Sequence, residues 1–119
     1  KEQGQDNVTL WGDGSPTREF LYAPDAALGI VRAAEKYEGR EPINLGSGVE
    51  ITIRDLAGHV KQASGFEGEI IWDTNRPNGQ PRRCLNVSLA DRLFGFRATT
   101  SLDVGIEQTV AWYLQNRNL

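Results

Sequence analysis

The sequence predicts an α/β (α+β) fold, with short strands set among three to four helices and residues 1–119 forming a single domain. Three observations predict it. Brief apolar runs such as VTLW and EIIWD alternate with longer stretches whose apolar residues recur every three to four positions. A Ser/Thr-x-x-Asp pattern that opens helices recurs at Thr52, Ser88 and Thr100. Glycine and proline punctuate the junctions.

The elements follow in order. The polar opening KEQGQDN, residues 1–7, is expected to be flexible. Val8–Trp11 reads as a strand that feeds the turn cluster Gly12-Asp13-Gly14-Ser15-Pro16, and Glu19–Tyr22 as a second extended run. Pro24 begins a helix, because its fixed φ suits a first turn. Leu28, Val31 and Ala34 line one face of that helix with Ala27 and Ile30 beside them, and Gly39 closes it. Ile43–Gly48 is expected to be a buried strand ending in a glycine turn.

Thr52 can cap the next helix through its hydroxyl, with Asp55 at the positive end of the helix dipole and Gly65 past Ser64 as the stop. Glu69–Asp73 is a strand, and TNRPNGQPRR, rich in Pro, Gly and Asn, is a loop. Ser88–Asp91 opens a short helix that Gly95 ends, and Thr100–Asp103 opens a last one carrying Leu102, Ile106, Val110, Tyr113 and Leu114 on one side. Trp72 and Trp112 are expected in the core, Cys84 as a small buried apolar residue and His59 on a helix surface.

Composition removes several functions. Sixteen acidic side chains against 13 basic ones give a net charge of -3, so no broad field would draw nucleic acid or an anionic membrane. An anionic ligand must be held by local geometry. No apolar run approaches the roughly 20 residues needed to span a bilayer. The lone Cys84 excludes an internal disulfide and suits a reducing cytoplasm. Methionine is absent, even at position 1, and a hydrophobic fraction of 39% is lean for a self-contained globule; both suggest an excerpt of a longer protein.

The motifs that would carry chemistry are incomplete. Gly12 and Gly14 are followed by Thr17, and Gly46 and Gly48 by Ile51, so neither pair completes a dinucleotide fingerprint. Tyr22, Tyr37 and Tyr113 are followed four residues on by Ala26, Glu41 and Arg117, which leaves no Tyr-x-x-x-Lys pair. No nucleophile elbow or metal-ligand spacing is present. Binding features stand out instead. Trp11 can be core at a strand end or a plate for a ligand, and Arg18 a surface ion-pair residue or an anion fork. Arg76, Arg82 and Arg83 lie in an acid-free stretch from Thr74 to Ala90, suited to phosphate or simply to water. Asn78 before Gly79 is by itself a turn residue.

LWGDGSPTREFLYAPDAALGI, followed in order by NLGSG, ITIRDLA, WDTNRPNGQPRRCLNVSLADRLFGF and TSLDVGIEQTVAWY, resembles the C-terminal part of extended short-chain dehydrogenase/reductases acting on nucleotide sugars, the NAD-dependent epimerase/dehydratase family. Trp11 with Arg18 and the RPNGQPRR loop is most similar to the GDP-fucose synthase branch. The resemblance implies a small substrate-binding domain without the N-terminal Rossmann half, which in complete members carries NAD or NADP and the Tyr-Lys pair. It further implies that Arg18 grips a diphosphate, Trp11 flanks the nucleotide or sugar, Asn78 contacts substrate and Arg83 lies near it. Relatives often carry aspartate where Asn78 stands, and Val-Asp-Asp where this chain reads Ala23-Pro24-Asp25.

The implied ligand is a nucleotide sugar, a GDP-sugar first, and the implied partners are the missing Rossmann half and a second copy. The chain alone is expected to bind no cofactor and to lack the activity. Two other readings stand: a fragment of a UDP- or dTDP-sugar epimerase or dehydratase, and a non-catalytic module that binds a nucleotide sugar or self-associates.

Overall fold

Local capping chemistry fixes two helix starts and two helix stops. A computed structural model describes residues 4–117, with β1 (Asn7–Trp11), β2 (Thr17–Glu19), α1 (Ala23–Lys36), β3 (Glu50–Thr52), α2 (Ile53–Ser64), β4 (Glu69–Asp73), β5 (Arg82–Arg83), α3 (Ser88–Phe94) and α4 (Leu102–Asn116). Thr52 Oγ1 accepts from Asp55 N at 3.0 Å, and Gly65 closes α2 at φ 60°, a left-handed position glycine adopts without strain. Gly95 does the same for α3. At α4 the cap is Ser101, one residue after the expected Thr100: its hydroxyl accepts from Val104 N. Ser88 is the first residue of α3 rather than its cap, and Asn86 Oδ1 accepts its amide at 3.0 Å.

The strands differ more from expectation. Residues 1–3 of the expected flexible opening lie outside the described residues, whereas Asp6 O accepts from Glu69 N and Asn7 already belongs to β1. The second strand ends at Glu19 instead of reaching Tyr22. Ile43–Gly48 forms no ladder; Glu19 Oε2 takes the Gly48 amide instead, and β3 starts only at Glu50. Arg82 and Arg83, expected in a loop, form β5. β1 pairs in parallel with β4, Val8 opposite Ile70 and Trp11 opposite Asp73. β2 lies between antiparallel β3 and parallel β5.

Carboxylates join these pieces. Glu19 Oε1 accepts from Leu85 N at 2.8 Å while Oε2 accepts from Gly48 N at 2.7 Å, so one side chain ties β2 to two loops. A Cβ at Gly46 would stand 2.8 Å from that carboxylate, hence a glycine there. Asp25, buried in α1, accepts Thr99 N and Thr100 N through Oδ2, at 3.2 and 2.9 Å. These amides, Thr100 first, hold its carboxyl below the ordinary value of 3.8 against the opposing effect of burial. His59 Nδ1 meets Asp103 Oδ1 and links α2 to α4.

The core is small. Among the described residues only Ala90, Phe94 and Phe96 are buried hydrophobics, with Leu21, Ala33, Tyr37, Ile43 and Leu45 packed against them. α1 faces this core with Asp25, Gly29 and Ala33; Phe96 Cε2 would lie 3.0 Å from a Cβ at Gly29. The apolar stripe noted in the sequence points the other way: Leu28, Ile30 and Val31 are exposed, Ile30 to 62%. Trp112, expected in the core, is 61% exposed, and Tyr113 and Leu114 are exposed beside it. The radius of gyration is 17.0 Å, against about 13.5 Å for a compact chain of this length. The accessible surface is 8686 Å², and a compact monomer of 13.2 kDa exposes about 6400 Å².

The turn between β1 and β2 is gripped from two sides. Gly14 O and Pro16 O accept the first amides of α2, from Arg54 and Ile53, both at 2.9 Å. On the other side Asn78 Oδ1 accepts from Asp13 N at 2.8 Å. Gly12 and Gly14 have φ of 78° and 76°; a Cβ on Gly12 would overlap the Asn78 amide, and one on Gly14 would stand 2.6 Å from Trp72. We therefore expect Gly12→Ala to cost about 2 kcal/mol, from left-handed strain and loss of the Asn78 bond together. Urea denaturation measures the loss, and hydrogen exchange at the Asp13 amide should accelerate with it.

Asp25 makes stability depend on acid. Its folded value is lowered, so its contribution is present above the ordinary carboxylate value and disappears as pH falls through that value and below. The unfolding midpoint should therefore fall between pH 5 and about pH 3. Asp25→Ala, which strands two backbone donors, should cost about 2 kcal/mol at pH 7 and flatten that profile. A denaturation series against pH on both proteins checks the slope.

Candidate functional site

Alternation along β2 sorts its charges. Successive strand side chains point to opposite faces, so Arg18 shares a face with its ladder partners Ile51 and Arg83, while Thr17, Glu19, Glu50 and Arg82 share the other. The acids of that second face are consumed there. Glu50 accepts Thr17 Oγ1 at 2.7 Å and Arg82 Nη2 at 2.5 Å, with Arg82 the larger cause of its lowered carboxyl value. Glu19 is held by the backbone amides of Gly48 and Leu85. Arg18 and Arg83 are left side by side with no carboxylate among the described ladder residues of their face. Like charges placed so repel, and an anion between them relieves it.

Arg18 is half-buried and anchored. Nη1 donates to Thr17 O at 2.6 Å and Nη2 to Gln80 O at 2.8 Å, so the guanidinium braces the loop that ends in β5. Arg83 is exposed. Asn78 lies at the apex of the same loop with its amide oxygen on Asp13 N. Trp11, at the end of β1, is 65% exposed and is not core. The Arg76 guanidinium stands 5.1 Å from its ring centroid. The structure thus brings the four residues singled out in the sequence around one segment, residues 74–83, which ends in β5, and the glycine turn it covers.

Two neighbours, Arg54 and the already noted Arg76, make aromatic contacts that sequence reasoning did not foresee. Arg54 Nη2 donates to Asp13 O, and its guanidinium lies 4.7 Å over the Trp72 ring, which fixes the turn from beneath. Trp72, expected in the core, is half-buried there and lies outside the buried cluster. Arg76 pairs with Asp73 at 3.6 Å and covers Trp11. The i,i+3 spacing of Asp73 and Arg76 was visible in the sequence, but the aromatic partner depends on the path of the chain. Cys84 is half-buried; desolvation first, then Glu19 and Glu50, push its thiol above the ordinary value, so it is a poor nucleophile.

The glycine turns do not fit a dinucleotide. Gly12–Gly14 leads into β2 and Gly46–Gly48 into β3, and the space at Gly12, Gly14 and Gly46 is filled by Asn78, Trp72 and Glu19. A pyrophosphate cradle needs such a turn opening a helix N-terminus. Among the described residues there is no cluster of metal-ligating side chains and no helix long and apolar enough to cross a membrane.

Known proteins resemble this chain in sequence and in fold. The NAD dependent epimerase/dehydratase family model matches residues 1–46. GDP-L-fucose synthase 1 of Arabidopsis thaliana is 45% identical over 116 residues, covering 98% of this chain and 36% of that protein. GDP-L-fucose synthase of Escherichia coli is 34% identical, covering 98% of this chain and 39% of the relative. The crystal structure of a GDP-L-fucose synthetase from Naegleria fowleri bound to NADP superposes with a TM-score of 0.91 at 30% identity, over 98% of this chain and 37% of that one. The chain spans a little over a third of the length of these proteins. By sequence and by fold it is similar to the NAD dependent epimerase/dehydratase family, and to the GDP-L-fucose synthases within it.

Proposed function

We propose that this chain is the substrate-binding portion of an NAD(P)-dependent nucleotide-sugar epimerase/reductase of the GDP-fucose synthase type. The observation that carries the reading is the pairing of Arg18 with Arg83 on a face with no carboxylate among its described ladder residues. A nucleoside diphosphate supplies the missing anion. Its oxygens exchange for the Gln80 carbonyl at Arg18, since a charged acceptor outcompetes a neutral one, and the Arg fork grips two oxygens at once. Trp11 offers its exposed ring to the base or sugar, and Asn78, whose oxygen is committed to Asp13, offers its amide N–H groups. NAD or NADP belongs to the remainder of a longer enzyme, because the glycine turns here are filled. Hydride and proton transfer are assigned to that remainder, in the reducing cytoplasm that the lone thiol suits.

The exposed face of α1 completes the proposal. Leu28, Ile30 and Val31 form an apolar stripe, and the chain exposes about 2300 Å² more than a compact monomer, well above the roughly 800 Å² each partner contributes to an ordinary interface. In the longer enzyme this face packs on the Rossmann half. In the isolated chain a second copy takes that place, by direct contact or by domain swapping. Sedimentation at high micromolar concentration should therefore show a dimer, and Ile30→Lys should shift it to monomer. A wild-type monomer that binds no apolar dye would count against this.

Ligand binding tests the site itself. Arg18→Ala should weaken GDP by about 1.5–3 kcal/mol while leaving guanosine nearly unchanged. Arg18→Lys keeps the charge without the planar fork and should retain most of that loss. Trp11→Ala should weaken both ligands, by less. Calorimetry on the chain, and on the same segment within a full-length enzyme, measures all three. If Arg18→Ala weakens guanosine as much as GDP, or weakens neither, Arg18 only braces the loop.

A further inference from the structure

The loop that covers the glycine turn contains a second cation whose position the ladder does not explain. Arg76 is fixed at its backbone: Arg76 N donates to Asp73 O at 3.1 Å, and Asn75 N donates to Asp73 Oδ1 at 3.1 Å, closing a tight turn after β4. Its side chain is 58% exposed and reaches back across the end of β1 to lie 5.1 Å from the Trp11 ring centroid, with Asp73 3.6 Å from Nε. One face of the most exposed aromatic plate in the candidate site is therefore occupied by a cation. The arrangement is weakly held. A cation over an exposed ring and a surface ion pair each change a population by less than about tenfold, whereas a charge-assisted hydrogen bond to phosphate changes it by about 10- to 100-fold.

We propose that Arg76 is a displaceable cap on Trp11 that sets the preference of the site for an aromatic ligand carrying a diphosphate over the same ring without one. This rests on the reading of Trp11 as a ligand plate. A nucleobase stacks on the covered face only when the guanidinium leaves it, and a diphosphate attached to that base gives the guanidinium a better acceptor than Asp73. A neutral nucleoside must displace Arg76 without offering it an anion. The cap thus penalises the nucleoside and rewards the nucleoside diphosphate, in addition to whatever Arg18 contributes.

Nuclear magnetic resonance titration of the labelled chain, following the Trp11 indole signal assigned by its loss in Trp11→Ala, tests this with GDP, guanosine and inorganic pyrophosphate. Arg76→Ala should weaken GDP about tenfold and tighten guanosine two- to fivefold, so that the ratio of the two affinities falls at least 20-fold. Arg76→Lys, which stacks and forks less well, should fall between. Pyrophosphate alone should displace the Arg76 side chain from the ring and shift the Trp11 signal. If Arg76→Ala changes both affinities by one factor, or neither, while Trp11→Ala weakens both, the capping role of Arg76 is wrong and the reading of Trp11 stands. If Trp11→Ala leaves both ligands unaffected, or the wild-type chain binds neither, the plate reading fails and the cap with it.

Discussion

The turn from Gly12 to Pro16 is the constraint on which the site depends. Its two left-handed glycines let the backbone pass between Asn78 on one side and Trp72 on the other, closer than any side chain would allow. Its carbonyls satisfy the first amides of α2, groups that an isolated helix end leaves to water. The turn therefore fixes the end of β1, the start of β2 and the origin of a helix together. Trp11 and Arg18 bracket it, so their separation is set by backbone geometry.

Around that turn, electrostatics is arranged by hydrogen bonding more than by charge count. Glu19 and Glu50 lie opposite each other in the β2–β3 ladder, a repulsive placement relieved because each has its own donors: backbone amides for one, Thr17 and Arg82 for the other. Both acids are thereby withdrawn from Arg18 and Arg83. An acidic chain with a net charge of -3 can in this way present a local cationic face. Arg76 and Arg54 extend the same economy, each shared between an aromatic ring and an oxygen.

The rest of the molecule shows how little core the described residues build. Phe94 and Phe96 with their neighbours under α1 form one cluster, while the two-stranded β1–β4 pair and the outer face of α1 remain open. Parallel strands are ordinarily covered on both faces, and two strands alone are marginal. The shape is elongated, and apolar faces stay exposed on α1 and at the end of α4.

The start of α2 and the stops of α2 and α3 were legible in the sequence because capping is local: Thr52, Gly65 and Gly95 act on backbone groups within a few residues, whereas α1 ends at Lys36, with Tyr37 as its cap, before the expected Gly39. The same locality made the glycine turn and the strand before it readable, though not the strand after it, and the family resemblance singled out Trp11, Arg18, Asn78 and Arg83. Pattern alone could not say which way the stripe on α1 faces, because periodicity marks an apolar face without naming its partner. Nor could it show that Ile43–Gly48 stays unladdered, that Arg82 and Arg83 join β2, or that Glu19 spans three segments. Those depend on contacts between residues tens of positions apart. Trp11 meets Arg76, and Gly12 meets Asn78, only where tertiary structure lays residues 74–83 over the turn.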